Sequence, residues 1–232
     1  MWASLKYADI ILKSKYPRSV SMLANFIHKP DFPHALHIFI HQHNHPYSSH
    51  LAPLDNSFEG PIHVFHSAKV QYYAPSDLCG VGGMHNEVIH ANPSYGHHGL
   101  PCFDTVFISV DDDKKVMGGL LVARVLLLFS FFDSYCGKDI SCALVTWFIH
   151  MDDNPKPDKD NGMWKVCPEC DENGGHPVQV VHLDTILRGA HLLPCYGVGF
   201  IPVELKCNDA LDCWDAYFVN HFIDHHAHEL LT

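Results

Sequence analysis

The C-terminal segment is the part of the chain richest in groups that can bind a metal. It contains Asp224-His225-His226-Ala227-His228-Glu229, and neutral imidazoles and carboxylates are ligands that zinc, manganese and iron accept. On a helix, neighbouring side chains point about 100° apart, so His225 and His226 cannot both share a face with Asp224 or His228. We expect Asp224, His225 and His228 to bind a metal only with ligands from elsewhere. The alternative is a helix end whose histidines are packed, capping or solvated, which suits the helix dipole.

A second group of metal-ligand type is Cys167-Pro168-Glu169-Cys170. Its spacing is that of one zinc knuckle, but a structural zinc site has four ligands and the sequence contains no second C-x-x-C. His176 and His182 are conceivable partners for the pair. The simpler interpretation is a turn with two incidental thiols. No cofactor is therefore expected, and zinc is the one that the sequence leaves open.

Two tryptophans are candidate ligand-binding residues. Trp147 and Trp164 lie near the ends of strand-like runs, where aromatic rings can form part of a methyl-ammonium cage or a peptide groove. The alternative is that both are core aromatics, because large aromatic side chains dominate the cores of small barrels.

Motifs for nucleophilic or phosphoryl chemistry are missing from the sequence. There is no G-x-S-x-G, and Gly80-Val81-Gly82-Gly83 lacks the pattern and the following helix of a phosphate-binding loop. We name no catalytic residue and expect that the chain is not an enzyme.

The charge of the chain argues against autonomous binding to duplex DNA. The formal net charge is −11 at pH 7, and residues 101–232 carry twenty acidic side chains against nine basic ones. A duplex binder that releases counterions needs a concentrated Lys/Arg surface, and the only arginines are Arg18, Arg124 and Arg188. We expect weak or no DNA binding by the chain alone.

Cysteine usage and hydropathy indicate an intracellular protein. Nine cysteines occur without a secretion signal in the first 15 residues, which favours reduced thiols. The most apolar run, 120–132, contains Arg124 and is shorter than a bilayer span of roughly 20 residues. We expect no membrane association.

The elements that would position these groups change in type along the chain. Helices are predicted at 2–15 and from Asp31, where Pro33 suits the first turn. In the second helix Leu36, Phe39 and Ile40 form the predicted buried face, and His37, His41 and His45 lie on the polar face. After a linker at 46–60, strands are predicted at 61–73, 104–110, 122–132, 140–149, 163–166 and 178–183. The Gly/Pro-rich stretch 75–99 is predicted to be an ordered loop. Residues 186–193 are predicted to form a helical turn or a strand, and residues 209–231 a helix.

These elements predict an α+β fold, a small and mainly antiparallel β-barrel with N-terminal helices and a C-terminal helix. The predicted boundaries are 1–58 for the helical segment with its linker, and 59–232 for the barrel-like domain. The order of segments 123–132, 143–148, 162–166 and 182–193 also looks like a bromo-adjacent-homology (BAH) barrel, a chromatin-reading fold, by fold-level analogy.

Ten segments, taken in their order along the chain, carry a resemblance to a protein family. They are Phe65-His66-Ser67-Ala68, Tyr73-Ala74-Pro75-Ser76-Asp77-Leu78, Gly82-Gly83-Met84-His85, Asp104-Thr105-Val106-Phe107, Ala123-Arg124-Val125-Leu126, Cys142-Ala143-Leu144-Val145 with Trp147-Phe148, Gly162-Met163-Trp164, His182-Leu183-Asp184-Thr185-Ile186, His191-Leu192-Leu193-Pro194 and Asp224-His225-His226-Ala227. Together, over about 16–232, they resemble the C-terminal region of Plavaka-type transposases of basidiomycete fungi. The pair Cys167 and Cys170 departs from that pattern.

The resemblance implies a function. In that family the catalytic acidic residues belong to a ribonuclease-H-like core that precedes this region. The chain therefore resembles a transposase tail without its catalytic core, either truncated or separately encoded. The resemblance implies a noncatalytic, transposon-derived accessory domain in the nucleus that binds a protein or chromatin partner. The alternative is a metal-dependent hydrolase or nuclease that uses Asp224, His225, His226 and His228, with His85 as a further ligand.

Overall fold

The computed structural model describes residues 16–46, 58–74, 82–96, 99–110, 116–152, 154–197, 200–201, 203, 205–206 and 209–232. The helix predicted at 2–15 lies outside these ranges, as does most of the predicted linker. The N-terminal boundary at 58 stays a prediction.

Three helices lie within the described ranges: α1 Val20–Phe26, α2 Phe32–Asn44 and α3 His225–Leu231. The sequence signals for α2 are confirmed, since Asp31 is its N-cap and Leu36 and Phe39 are buried. His37, which was predicted on the polar face, is buried as well. That prediction was wrong because the face that α2 buries is wider than the predicted one and includes Phe32 and Ala35 as well as Leu36 and Phe39. Short α1 was not predicted; Ser19 caps it by accepting a hydrogen bond from the Met22 N–H.

The twelve described strands form two sheets. The strands are β1 Ile62–Phe65, β2 Ser67–Tyr73, β3 Met84–Tyr95, β4 Leu100–Phe103, β5 Thr105–Ser109, β6 Leu120–Asp133, β7 Lys138–His150, β8 Trp164–Pro168, β9 Val178–His182, β10 Ile186–Gly189, β11 Leu192–Pro194 and β12 Tyr217–Val219. The larger sheet has the order β10-β5-β6-β7-β8-β12-β11, with β1 on β6 and β9 on β7, and the smaller has the order β2-β3-β4.

The fold is α+β, and its mainly antiparallel strands form a curled half-barrel. The long hairpin of β6 and β7 is the centre of the larger sheet, and a register shift between Val125 and Leu127 interrupts it. Such an irregularity bends a strand and increases its twist. This local bend helps a sheet with two long central strands to curl over the core.

The helices and the sheet share a hydrophobic core. Phe32, Leu36 and Phe39 of α2 pack in one cluster with Phe129 and Phe131 of β6. Phe32 and Phe129 meet edge to face, with ring centroids 5.3 Å apart. Because α2 needs the sheet to cover its apolar face, the end of α2 is fixed above the β6–β7 hairpin and β9.

Two sequence predictions are corrected by the structure. Residues 84–95, inside the predicted loop 75–99, form β3, and the glycines that suggested a loop flank the strand instead of interrupting it. Residues 209–231 are not one helix: Tyr217–Val219 form β12 between β8 and β11, and only His225–Leu231 are helical. The apolar spacing of that segment fits a strand followed by a short helix equally well.

The last helix is held in place by a close backbone contact. Gly118 has a φ of +63°, and a Cβ there would lie 2.7 Å from the carbonyl oxygen of Leu230. Only glycine accommodates both conditions. None of the described helices has the length and the apolar character required to cross a bilayer.

Candidate functional site

A buried arginine organises one side of the half-barrel. Arg188 lies in β10, at the edge of the larger sheet, with 4% of its surface exposed. Its Nη1 donates to Oδ1 of Asp224 at 2.8 Å, and its Nη2 donates to Oδ2 at 2.6 Å. The same Asp224 is the N-cap of α3, where it accepts from the Ala227 N–H at 2.8 Å. The two-point pairing therefore joins the edge strand to the start of the last helix.

The ion pair determines the charge state of both groups. Burial alone would lower the pKa of Arg188, but the hydrogen bonds to Asp224 outweigh it, and the pKa lies above its ordinary value. Burial alone would raise the pKa of Asp224, but the bonds from Arg188 outweigh it and hold that pKa below its ordinary value. Both groups stay charged, and their charges cancel.

An aromatic stack covers the guanidinium. The Tyr72 ring lies 4.9 Å from the guanidinium carbon of Arg188 and is stacked on His226, with centroids 4.7 Å apart and planes at 7°. His226 Nδ1 lies 3.3 Å from Arg188 Nη1 and accepts from it, because a guanidinium can only donate. Burial and the charge of Arg188 lower the pKa of His226. The histidine is therefore neutral near pH 7.

Glu87 of β3 closes the site from the smaller sheet. Its Oε2 accepts from the Gly189 N–H at 2.9 Å and lies 3.9 Å from Arg188 Nε. A Cβ at position 189 would lie 2.7 Å from Glu87 Oε1, so the carboxylate approaches the strand this closely only because the residue is glycine. The contact holds the two sheets together at the edge strand β10.

A cleft of about 410 Å³ opens between these two sheets. Its polar lining includes Glu87, Asp104, Arg188 and His191. Its apolar lining includes Val88, Ile89, Phe103, Leu192, Leu211 and Ile223. Because Asp224 already neutralises Arg188, the carboxylates of Glu87 and Asp104 leave the cleft with an excess of negative charge.

Asp104 is also part of a compact His/Cys/Asp group. Its Oδ2 accepts from the backbone N–H of His90 at 2.8 Å and lies 2.9 Å from His90 Nδ1, and its Oδ1 accepts from Cys102 Sγ at 3.4 Å. Burial, together with the charge and the hydrogen bond of Asp104, raises the pKa of Cys102 to about 11. Within the described part of the chain, only this group and the group of His43, Asp133 and Cys136 place three such ligand atoms within 4.8 Å of one another.

The predicted metal ligands Asp224, His225 and His228 border a different and more open pocket. They line it together with His221 and Phe222. Both oxygens of Asp224 already accept from Arg188 and the helix N-terminus, and His225 and His228 are exposed. The structure thus brings the three side chains to one pocket without gathering their ligand atoms.

The two predicted ligand-binding tryptophans are separated by the fold. Trp164 is buried, and its indole N–H donates to the carbonyl oxygen of Leu231 at 3.0 Å. Trp147 donates to Oε1 of Gln179 at 2.7 Å and packs at the edge of another core cluster. Trp147 and Trp164 do not share a binding surface, because their strands place them against different parts of the core.

The Cys167 and Cys170 thiols lie at the end of β8. Cys167 Sγ lies 3.6 Å from the Ile149 carbonyl oxygen, and Cys170 Sγ lies 3.7 Å from His176 Nδ1. His176 Nδ1 also lies 2.9 Å from the Glu169 carbonyl oxygen. The other conceivable partner, His182, lies beside His43 instead. The described cysteines are free thiols.

Comparisons with protein-family models, with curated proteins and with solved structures found no match to this chain. The resemblance to Plavaka-type transposases therefore rests on the ten segments alone.

The sequence reasoning missed the central residues of both sites. Arg188 was noted only as one of three arginines, although a lone arginine between apolar residues signals a buried charge that needs a partner. Glu87 lies in the stretch interpreted as a loop. His43, Asp133 and Cys136 carry no shared spacing, because only the packing of α2 over the hairpin brings them together.

Proposed function

We propose that this chain is a noncatalytic binding module that accommodates a basic segment of a protein partner in the cleft between its two sheets. The observation that carries the proposal is the cleft lining, which combines the carboxylates of Glu87 and Asp104 with apolar walls. In this proposal the module is a transposon-derived accessory domain with a nuclear, chromatin-associated partner.

The first support is charge. Arg188 brings the one positive side chain among the lining residues, and its two-point pairing with Asp224 cancels it. A lysine or arginine of a partner would complement the remaining carboxylates, and complementary charge raises both specificity and the association rate. The formal net charge of −11 adds a long-range field of the same sign.

The second support is the apolar part of the lining. Lysine and arginine bury their aliphatic stems against apolar surface while the charged end stays with polar groups. Ile89, Leu192 and Ile223 offer such a surface beside the carboxylates. The cleft volume of about 410 Å³ also falls within the range of about 300–1,000 Å³ that is usual for ligand pockets.

The third support concerns the kind of partner. Chromatin proteins present basic segments, and the few Lys and Arg side chains of this chain favour a contact with such segments over a direct contact with DNA. The proposed likeness to a BAH barrel would give the same role, and its support is the order of β6, β7, β8 and β9.

The alternative function, a metal-dependent hydrolase or nuclease built on Asp224, His225 and His228, has less support. A catalytic metal site needs ligands that are free to bind and an open position for water. The carboxylate of Asp224 is paired with Arg188, so the cleft is the better candidate.

The test is the affinity of a short lysine-rich peptide, measured by fluorescence anisotropy at neutral pH. Glu87→Gln removes the charge but keeps an oxygen that can accept from the Gly189 N–H. We expect this variant to weaken binding about three- to tenfold, as for a partly exposed charge pair. Arg188 is unsuitable as a test residue, because its removal would leave Asp224 partly buried and unpaired.

The matched control is Glu172→Gln, which removes the same charge from an exposed position between β8 and β9. We expect it to leave the affinity unchanged. A peptide with glutamine at every lysine position serves as the uncharged probe. Equal weakening by both variants, or no binding of the lysine-rich peptide, would contradict the proposal.

A further inference from the structure

A second His/Cys/Asp group lies at the far end of the β6–β7 hairpin and shares no residue with the cleft. His43 belongs to the last turn of α2, Asp133 is the last residue of β6, and Cys136 lies in the turn that precedes β7. One ligand atom from each lies within 4.8 Å of the other two. His43 thus meets two residues that lie at least 90 positions away in the sequence.

The distances have the scale of a zinc tetrahedron. Cys136 Sγ lies 3.6 Å from Nε2 of His43. Zinc bonds of about 2.3 Å to sulfur and about 2.0–2.1 Å to nitrogen, at a tetrahedral angle, put those two atoms about 3.6 Å apart. Asn44 Oδ1 lies 3.7 Å from the same sulfur, and is placed to serve as a fourth ligand. The Cys136 sulfur therefore lies at a zinc-compatible distance from both His43 Nε2 and Asn44 Oδ1.

The carboxylate of Asp133 lacks a partner on one side. Only 6% of the residue surface is exposed. Its Oδ1 accepts from the Tyr135 N–H at 3.0 Å, whereas no donor is aligned for a hydrogen bond to the buried Oδ2. Burial alone would raise the pKa of Asp133, but the hydrogen bonds from Tyr135, Cys136 and Asn44 outweigh it and hold that pKa below its ordinary value, so the carboxylate is charged. A buried carboxylate oxygen without an aligned donor is costly, and a cation removes that cost.

The Cys136 sulfur has acceptors on two sides. The thiol has one proton, and both His43 Nε2 and Asn44 Oδ1 lie within hydrogen-bond reach of its sulfur. A single S–H cannot satisfy both. A thiol that can lose its proton, placed beside an imidazole, a carboxylate and an amide oxygen, has the chemistry of a divalent-cation site.

An outer histidine is placed to orient the inner one. His182 Nε2 lies 3.0 Å from Nδ1 of His43, the nitrogen that faces away from Cys136. Metal-bound histidines usually bond a second group through this other nitrogen, which fixes the ring and its tautomer. The Phe39 ring is stacked on His43, with centroids 6.0 Å apart, and limits its rotation.

We propose that His43 Nε2, Asp133 Oδ2 and Cys136 Sγ bind one zinc ion, with Asn44 Oδ1 or a water molecule at the fourth position. The thiol loses its proton to solvent when the ion binds. The ion fastens the last turn of α2 to the β6–β7 hairpin. Its role is structural and is independent of the cleft.

The experiment uses cobalt(II) as a spectroscopic substitute for zinc in the whole, metal-stripped chain. A thiolate ligand gives a sulfur-to-cobalt charge-transfer absorption in the near ultraviolet, and a tetrahedral site gives strong visible bands. Surface histidines, which are numerous here, give neither signal. We expect one cobalt equivalent to produce both signals, and one zinc equivalent to abolish them by displacement.

The decisive variant is Cys136→Ser, which changes an exposed turn residue and leaves the core intact. We expect it to lose the charge-transfer signal. Two controls, Cys102→Ser and the double change Cys167→Ser with Cys170→Ser, should keep it. A signal that persists in Cys136→Ser, or that disappears only in a control variant, would overturn the proposal. The absence of any thiolate signal in the unsubstituted chain would do the same.

Discussion

The two His/Cys/Asp groups contain the same residue types but differ in what their carboxylates already accept. Beside the cleft, both oxygens of Asp104 accept hydrogen bonds, from His90 and from the thiol of Cys102. At the hairpin, one oxygen of Asp133 accepts from a backbone N–H and the other is buried without an aligned donor. Both oxygens of the first carboxylate are hydrogen-bonded, whereas the second carboxylate keeps one buried oxygen that a cation could bind.

Ligand types and proximity are therefore not sufficient to identify a metal site. In both groups the three ligand atoms lie within 4.8 Å of one another. What separates them is the balance of donors and acceptors, since a carboxylate that is fully hydrogen-bonded gains less from an ion. The orphaned oxygen at the hairpin is the feature that distinguishes the two.

The largest expected difference is the effect of zinc on stability. Free zinc at about one hundred times its Kd should raise the free energy of unfolding by about 2.7 kcal/mol. We expect the unsubstituted chain and Cys102→Ser to show this rise and Cys136→Ser to lose it, in urea titrations with and without zinc. A loss in Cys102→Ser alone would reverse the assignment of the two groups.

The next difference concerns the carboxylates in the metal-free chain. Asp104→Asn replaces one of two engaged oxygens and should lower the free energy of unfolding by about 1–2 kcal/mol. Asp133→Asn should lower it by less, about 0.5 kcal/mol, because only one of its two oxygens accepts a well-aligned hydrogen bond. Urea denaturation of both variants checks this; equal losses would show that Oδ2 of Asp133 has a partner after all.

Thiol reactivity should also separate the groups. The pKa of Cys102 is raised to about 11, so its thiolate fraction at neutral pH is very small, and the side chain is half-buried. The hydrogen bond with Asp133 also raises the pKa of Cys136, but this thiol is exposed. We expect iodoacetamide to modify Cys136 about tenfold faster than Cys102, a difference of about 1.4 kcal/mol in activation free energy. Peptide mass spectrometry over time measures both rates. Zinc should protect Cys136 and leave Cys102 unchanged.

The smallest effect is expected from pH, through the histidine behind the hairpin group. Burial and the neighbouring His43 lower the pKa of His182 below its ordinary value of 6.5. Below about pH 6.5 the unfolded chain binds a proton at this histidine more readily than the folded chain does. The contribution of His182 to the free energy of unfolding is therefore fully present above about pH 6.5 and is lost as the pH decreases toward the lowered pKa.

The measurement is the free energy of unfolding of the metal-free chain at about pH 7.5 and about pH 5.5. The difference between the two should be smaller in His182→Asn. It should not vanish, because the pKa of buried His226 is lowered in the same direction. An unchanged difference in His182→Asn would contradict the assigned role of His182.

Much of the sheet could be predicted from the sequence. The strands β5 to β9 have apolar, β-branched runs bounded by turn residues, and these local signals are sufficient where a strand is long or well bounded. The helix α2 carries its own N-cap and apolar face. By contrast, β3 was missed because the glycines at its flanks and Pro93 within it indicated a loop. The strand β12 was missed because its apolar spacing also fits a helix.

The candidate sites could be predicted only in part. The sequence indicates Asp224 as a metal ligand. In the structure its carboxylate is paired with Arg188, and nothing in the local sequence predicts that pairing. The tryptophans Trp147 and Trp164 were candidates because of their residue type. The fold places them in different surroundings, which residue type alone does not reveal.

Local periodicity and composition are sufficient to predict the α+β class, the antiparallel character of the sheet and the acidic balance of the chain. Which polar groups meet depends instead on tertiary packing. Arg188 contacts Asp224 because the last helix packs against a strand that is distant in the chain. His43 approaches Asp133 and Cys136 because its helix packs against a hairpin that is distant in the chain. Contacts of that kind have no local spacing, since they follow from how the apolar faces are covered.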